Sequence, residues 1–350
     1  MLNRNEAGAL AGTLLLAGFG GLVAGVLHLP LAFMLGSIVA VGLAAGFGLR
    51  VAGQGVYLPP KLRIGFVPVI GVAIGAAFTP EVAAQAAGWW PTLLALLVYV
   101  PMAHGLGYAI YRIGGLDRVT AFFGAVPGGL IESIELGDQA GANMPMLTSL
   151  HFLRLIGIII SVPLIFWWLT GHQVGSGSGA RIAGGGDLGL RDAVLLVAAG
   201  AVGAGVGRAL HLPAWMLTGP LIGSGVLHGF GLVQGVPPGW LVALTQMVMG
   251  GGLGARFAGV APAMLRHAVS LAAVYGVAVL GLAFVFAVGL QAMGVAPGAA
   301  AFLAMAPGGV AEMSLIALSL QFSVVFVTVH HVARILIAVL VAKLGYRWLR

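Results

Sequence analysis

Two runs of this chain, residues 209–255 and 268–311, contain no Asp, Glu, Lys or Arg. One helix spanning the hydrocarbon core of a bilayer takes about 20 apolar residues, so each run has room for two passes. Charged residues make up 7% of the chain and hydrophobic ones 60%, against about 25% charged in a soluble domain. The chain is therefore expected to be an all-α polytopic membrane protein whose first partner is the lipid bilayer. Its 58 glycines suit close helix packing and interrupted helices in lipid. Cysteine does not occur, which removes disulfides and thiolate metal sites. The net charge of +7 is read as loop charge that orients a membrane protein. With no basic helix-turn-helix segment and no aromatic–basic interleaving, nucleic acid is not an expected partner.

The chain repeats itself. The stretch 121–154 returns at 301–334 without a gap. Pro127-Gly128-Gly129 matches Pro307-Gly308-Gly309, Glu132 matches Glu312, and Thr148, His151 and Arg154 match Thr328, His331 and Arg334. In so apolar a chain, chance would repeat Ala, Leu or Gly before it repeated Glu, Thr, His and Arg together. A second echo lies nearer the start of each half. Leu27-His28-Leu29-Pro30 with Gly36 corresponds to Leu210-His211-Leu212-Pro213 with Gly219. Here proline should end one helix and begin the next, and the two histidines are read as turn residues rather than ligands. A first membrane repeat, 1–170, is thus expected to join a second, 193–350, through the Gly- and Ser-rich linker 171–192. Each repeat should hold five spans: near 7–27, 31–49, 64–78, 91–110 and 146–169, then near 193–210, 214–233, 239–255, 268–292 and 322–342. The first run resembles a signal peptide, but it is long enough to span and has a counterpart at 193–210.

The Pro-Gly-Gly stretches break the helical pattern, each three residues before a glutamate. Neither proline nor paired glycine suits a helix interior. The backbone groups freed by such a break are tolerated at membrane depth only where protein or a water-filled cavity surrounds them. The broken segment either crosses the membrane or re-enters. If it crosses, Arg208, Arg256 and Arg266 fall on the outer side. If it re-enters, only Arg181 and Arg191 do, beside Asp187 and Asp192. The positive-inside rule favours the second arrangement, in which the repeats are inverted and both termini are cytoplasmic. Inverted repeats with broken helices near the midplane are a secondary-transporter design.

Thr148, His151 and Arg154 fall at i, i+3 and i+6 and share a helix face, as do Thr328, His331 and Arg334. Ionisable groups within spans are costly, commonly face a cavity and pair with one another. Glu132 is the natural partner for Arg154, and Glu312 for Arg334. One reading is structural: the pairs fasten each broken segment to the next helix, and His331 with its neighbour His330 are core histidines. The other is functional. Helix N-termini after Pro127-Gly128-Gly129 and Pro307-Gly308-Gly309 would attract an anion. Arg154 and Arg334, with Thr148 and Thr328 beside them, would grip it. Glu132, Glu312, His151 and His331 would carry coupling protons. This points to a proton-coupled secondary transporter of a small anionic solute. No HExxH, Walker A, GxSxG or Rossmann motif occurs, so neither catalytic residues, a metal site nor a cofactor is expected.

The repeated proline–glycine–glycine–Glu stretch, the downstream Thr-x-x-His-x-x-Arg and the Leu-His-Leu-Pro turns followed by Met-Leu resemble the bacterial AbrB-type membrane protein family. The resemblance covers nearly the whole chain. It implies an inner-membrane protein built by internal duplication, with no catalytic residues to carry over. Members are labelled as a regulator or as an ammonia monooxygenase. Two alternatives to transport follow. A membrane regulator affecting gene expression would need a cytoplasmic effector segment, and no loop here is large enough to fold as one. The second is an ammonia or gas channel or a monooxygenase-like enzyme: a channel would favour an apolar, histidine-lined pore without buried Glu–Arg pairs, and a copper or iron oxygenase would need clustered histidines and carboxylates. Many carriers of this kind dimerise, so a homodimer is a further expectation.

Overall fold

The computed structural model describes residues 4–51, 53–170, 186–258, 261–320 and 322–347; most of the expected linker, 171–185, lies outside them. The first half contains α1 (Arg4–Val26), α2 (Ala32–Gly46), α3 (Pro60–Gly75), α4 (Pro80–Ala86), α5 (Trp90–Ile113), α6 (Arg118–Gly124), α7 (Leu130–Gln139) and α8 (Met144–Thr170). The second contains α9 (Leu190–Ala209), α10 (Trp215–Gly229), α11 (Gly239–Gly254), α12 (Pro262–Ala292), α13 (Gly298–Met305), α14 (Val310–Ser319) and α15 (Val324–Tyr346). A two-residue antiparallel ladder pairs Arg50 with Gly55 and Val51 with Gln54. The chain is an all-α polytopic membrane protein.

Among the described residues, six helices are long and apolar enough to cross a bilayer: α1, α5, α8, α9, α12 and α15. Their outer faces carry the expected lipid-facing rows; Leu15, Phe19, Leu22 and Val26 form one along α1, all exposed and at helical spacing. The other expected spans fold as α2, α3, α10 and α11, helices of 15 or 16 residues. At 1.5 Å per residue that is about 23 Å, short of the roughly 30 Å hydrocarbon layer. The backbone explains the shortening. Leu31 (φ 48°) and Ala214 (φ 48°) are left-handed caps that delay the starts of α2 and α10, and Pro60 sets the start of α3.

The Leu-His-Leu-Pro turns are built alike. His28 sits at φ 54°, and the Leu29 N–H bonds back to the Ala24 carbonyl at 2.9 Å. His211 sits at φ 52°, and the Leu212 N–H bonds to the Gly207 carbonyl at 2.9 Å. This is the left-handed closure that usually takes glycine. Histidine is among the few side chains enriched at positive φ.

The chain forms two compact units, each drawn from both sequence halves. The first comprises Met1–Ala84, Val162–Gly259 and Ser314–Val325; the second comprises Gln85–Ser161, Val260–Met313 and Phe326–Arg350. In the first unit α1 packs on α2 and α9 on α10, while α3 packs on α10 and α11 on α2. The third helix of each half therefore lies against the second helix of the other. Glycines allow this closeness. A Cβ on Gly36 would collide with the Gly20 carbonyl oxygen, and one on Gly219 with that of Gly203. Gly71 and Gly75 likewise meet the Leu217 and Leu221 carbonyls. Between apolar helices in lipid, such backbone proximity is the main source of attraction. In the second unit α12 packs along α5 and α13, and α6 along α5 and α7.

Candidate functional site around the two helix breaks

Both Pro-Gly-Gly stretches interrupt helices within the second unit. α6 stops at Gly124 and α7 starts at Leu130; α13 stops at Met305 and α14 starts at Val310. Pro127 and Pro307 are buried, and Gly129 (φ 60°) turns the chain into α7 as its N-cap.

A helix end leaves carbonyls without partners, and burying them bare is costly. Around the end of α6, four carbonyls each meet a buried side chain from another helix. His104 Nε2 of α5 lies 2.9 Å from the Phe122 oxygen, and His151 Nε2 of α8 lies 3.0 Å from the Phe123 oxygen. Tyr275 of α12 donates its hydroxyl to the Ala125 oxygen at 2.9 Å. Arg154 of α8 donates Nη1–H to the Val126 oxygen at 2.7 Å. Arg154 Nη2 also lies 3.4 Å from His151 Nδ1. These partners assign the His151 proton to Nε2 and leave Nδ1 to accept from the guanidinium.

At the second break one arginine takes two carbonyls. Arg334 of α15 donates Nη1–H to the Ala306 oxygen and Nη2–H to the Gly308 oxygen, the latter at 2.7 Å. His331 bonds through Nδ1 to the Val327 carbonyl of its own helix at 2.9 Å. Each guanidinium thus sits at the negative end of a short helix. Both arginines are buried, and the Nε atom of each has no hydrogen-bond partner among the described residues. The first break also approaches the arginine that caps the second: a Cβ on Gly128 would lie 3.7 Å from Arg334 Nε. The Tyr275 ring centre is 5.7 Å from Arg154 Cζ, and Tyr99 and Tyr275 both feel the charge of both arginines.

The glutamates occupy the third position of the helices that follow the breaks. Glu312, buried, folds its carboxylate back over Gly309; half-buried Glu132 places Oε2 3.3 Å from where a Gly129 Cβ would be. Each carboxylate thus lies near the N-terminus of its helix, where the dipole favours negative charge. The expected Glu132–Arg154 ion pair is not made among the described residues. The physical reason lies with the arginine, whose guanidinium is taken up by the freed Val126 carbonyl and by His151 Nδ1. Thr148 is half-buried, and Thr328 is buried beside His331 on α15.

Four further residues belong to this region without having been marked by sequence reasoning or having been given only a core role. His104 and Tyr275 cap α6. His330, pointing away from His331, places Nε2 2.7 Å from Thr92 Oγ1 and Nδ1 2.7 Å from the Phe326 oxygen. A lone histidine inside an apolar span, as at His104, was the available signal.

The family model described as "Transition state regulatory protein AbrB" matches residues 33–350. The chain is 24% identical to "Uncharacterized protein YhjN" of Bacillus subtilis (strain 168) over 299 residues, covering 80% of this chain and 77% of that protein. It is 23% identical to "Putative regulator AbrB" of Escherichia coli (strain K12) over 231 residues, covering 66% of this chain and 64%, under two thirds, of that relative. No solved structure matches. With the family match reaching from the start of α2 to the C-terminus, across both Leu-His-Leu-Pro turns' second helices and both breaks, this polytopic helical chain belongs to the AbrB family.

Proposed function

We propose that the protein is a secondary transporter of a small anionic solute, held where the two broken segments meet Arg154 and Arg334. The observation that supports this most directly is the pair of buried guanidinium groups whose Nε–H donors have no hydrogen-bond partner among the described residues. Their Nη groups are committed to carbonyl oxygens and, for Arg154, also to His151 Nδ1, partners that carry only partial charge. A carboxylate or phosphate offered to the Nε edge would complete the hydrogen bonding and neutralise the buried charge. A permanently apolar gas pathway would gain nothing from two such charges. In this reading Glu132, Glu312, His151 and His331 exchange coupling protons.

The same reading sets the halves as inverted repeats in a bacterial inner membrane, with cytoplasmic termini and pairing into a homodimer. Regulatory effects of the kind named for one relative would follow from moving a metabolite. The test is flux of small carboxylates and phosphate into proteoliposomes, with and without an imposed pH gradient. Arg154→Lys and Arg334→Lys retain a charge and one carbonyl bond but lose the planar fork, and should lower flux about tenfold while shifting thermal unfolding only modestly. Parental flux in both variants, or no anion flux under any gradient, would overturn the reading.

A further inference from the structure

Around the end of α6, His104, His151, Tyr275 and Arg154 each meet a backbone carbonyl. Tyr111, near the end of α5, differs. It is fully buried, and its hydroxyl has no hydrogen-bond partner among the described residues. Its place is fixed from two sides. A Cβ on Gly124, the last residue of α6, would lie 3.4 Å from the Tyr111 ring. The Tyr275 ring stands edge-on to it, with 5.4 Å between centres. The same Tyr275 ring lies 5.7 Å from Arg154 Cζ, and Tyr111 and Arg154 are near enough to interact electrostatically. Two buried donors without partners, the Tyr111 O–H and the Arg154 Nε–H, are thus neighbours of one aromatic ring. A hydroxyl left bare in so apolar a place costs stability. Phenylalanine would fill the same volume without that cost, so the hydroxyl points to a group that arrives from outside the fold.

We infer that Tyr111 sets the specificity of the anion site: its hydroxyl bonds a hydroxyl of the solute close to the carboxylate held by Arg154, and the solute is a hydroxycarboxylate. The inference rests on the anion site of the transport reading and adds a second point of contact to it. A guanidinium only donates and suits a carboxylate, whereas a phenol both donates and accepts and suits a hydroxyl. A site built to bond a solute hydroxyl discriminates against the analogue that lacks it, because the protein's own group is then left unpaired.

The test is thermal unfolding of the full chain in maltoside micelles, titrated at equal ionic strength with two matched pairs: lactate against propionate, and malate against succinate. Each pair differs by one hydroxyl. In at least one pair the hydroxyl-bearing member should half-saturate the parent at about tenfold lower concentration, the worth of one hydrogen bond. Tyr111→Phe should bring that pair to parity by weakening the hydroxyl-bearing member alone. Without ligand, Tyr111→Phe should unfold at or above the parental temperature, which a hydroxyl bonded within the fold would not allow. The proposal is overturned if the parent favours the hydroxyl-bearing member of neither pair, if the preference survives in Tyr111→Phe, or if that variant is less stable than the parent or does not fold. Flux of the same four anions into proteoliposomes separates this inference from the reading it rests on. Equal flux of both members of each pair, at concentrations below saturation, overturns the hydroxyl contact and leaves transport standing. If none of the four is moved, their transport fails, while a tenfold binding preference lost in Tyr111→Phe still upholds the contact.

Discussion

His151 and Arg154 leave α8 one turn apart and reach carbonyls three residues apart on the same broken helix. That most of these polar residues turn inward was legible in the sequence, because Glu, His and Arg are scarce in spans and costly there. Their partners were not legible. A backbone carbonyl looks the same whatever residue carries it, so nothing at Val126 or Ala306 announces an acceptor, whereas Glu132 and Glu312 advertise themselves as counter-charges. Two predictions belong at this scale. Thr92→Val removes the hydroxyl facing His330 and should cost about 1–3 kcal/mol, while Thr92→Ser should restore most of it; thermal unfolding of the purified variants decides. Asp117 caps α6, accepting from the Val119 and Thr120 N–H groups at 3.0 and 2.9 Å. Burial alone would raise its carboxyl, but hydrogen bonds from the Thr120 side chain and from the backbone outweigh this and hold it below the usual carboxylate range. A depressed folded value stabilises above about pH 3.9 and is lost as pH falls through it. Asp117→Ala should therefore cost about 1 kcal/mol near neutrality, with the gap to the parent closing on acidification.

At the scale of elements, the six long helices and both breaks follow from hydropathy and from proline and glycine placement. The true lengths of α2 and α10 do not, because Leu31 and Ala214 carry side chains that ordinarily avoid left-handed backbone. Only the geometry of the preceding histidine turn puts them there. The helix pairings were equally hidden: 58 glycines do not say which are contacts. Gly36→Val should disrupt the α1–α2 pair, since its side chain would enter the Gly20 carbonyl, with a loss of about 1–3 kcal/mol or more. Gly205→Ala, in open space on α9, should be neutral or stabilise by about 0.5–1 kcal/mol. Urea or heat unfolding in micelles compares the two.

At the scale of the molecule, each compact unit takes segments from both halves of the sequence. Neither half holds a complete set. A chain cut within 171–185 should give halves that are degraded when expressed alone and that accumulate together when co-expressed, as read by membrane-fraction blots. Stable accumulation of either half by itself would contradict this.

The exchange of third helices also has a consequence during synthesis. When α3 leaves the ribosome, the surface it will rest on, α10, has yet to be made. At 5–20 residues per second the wait is on the order of ten seconds, during which Gly71 and Gly75 face lipid or an insertion factor instead of their final neighbour. A nascent chain of this design stays unfinished until its latter part arrives, and translational pausing after α3 should lengthen the interval in which quality-control proteases can remove it.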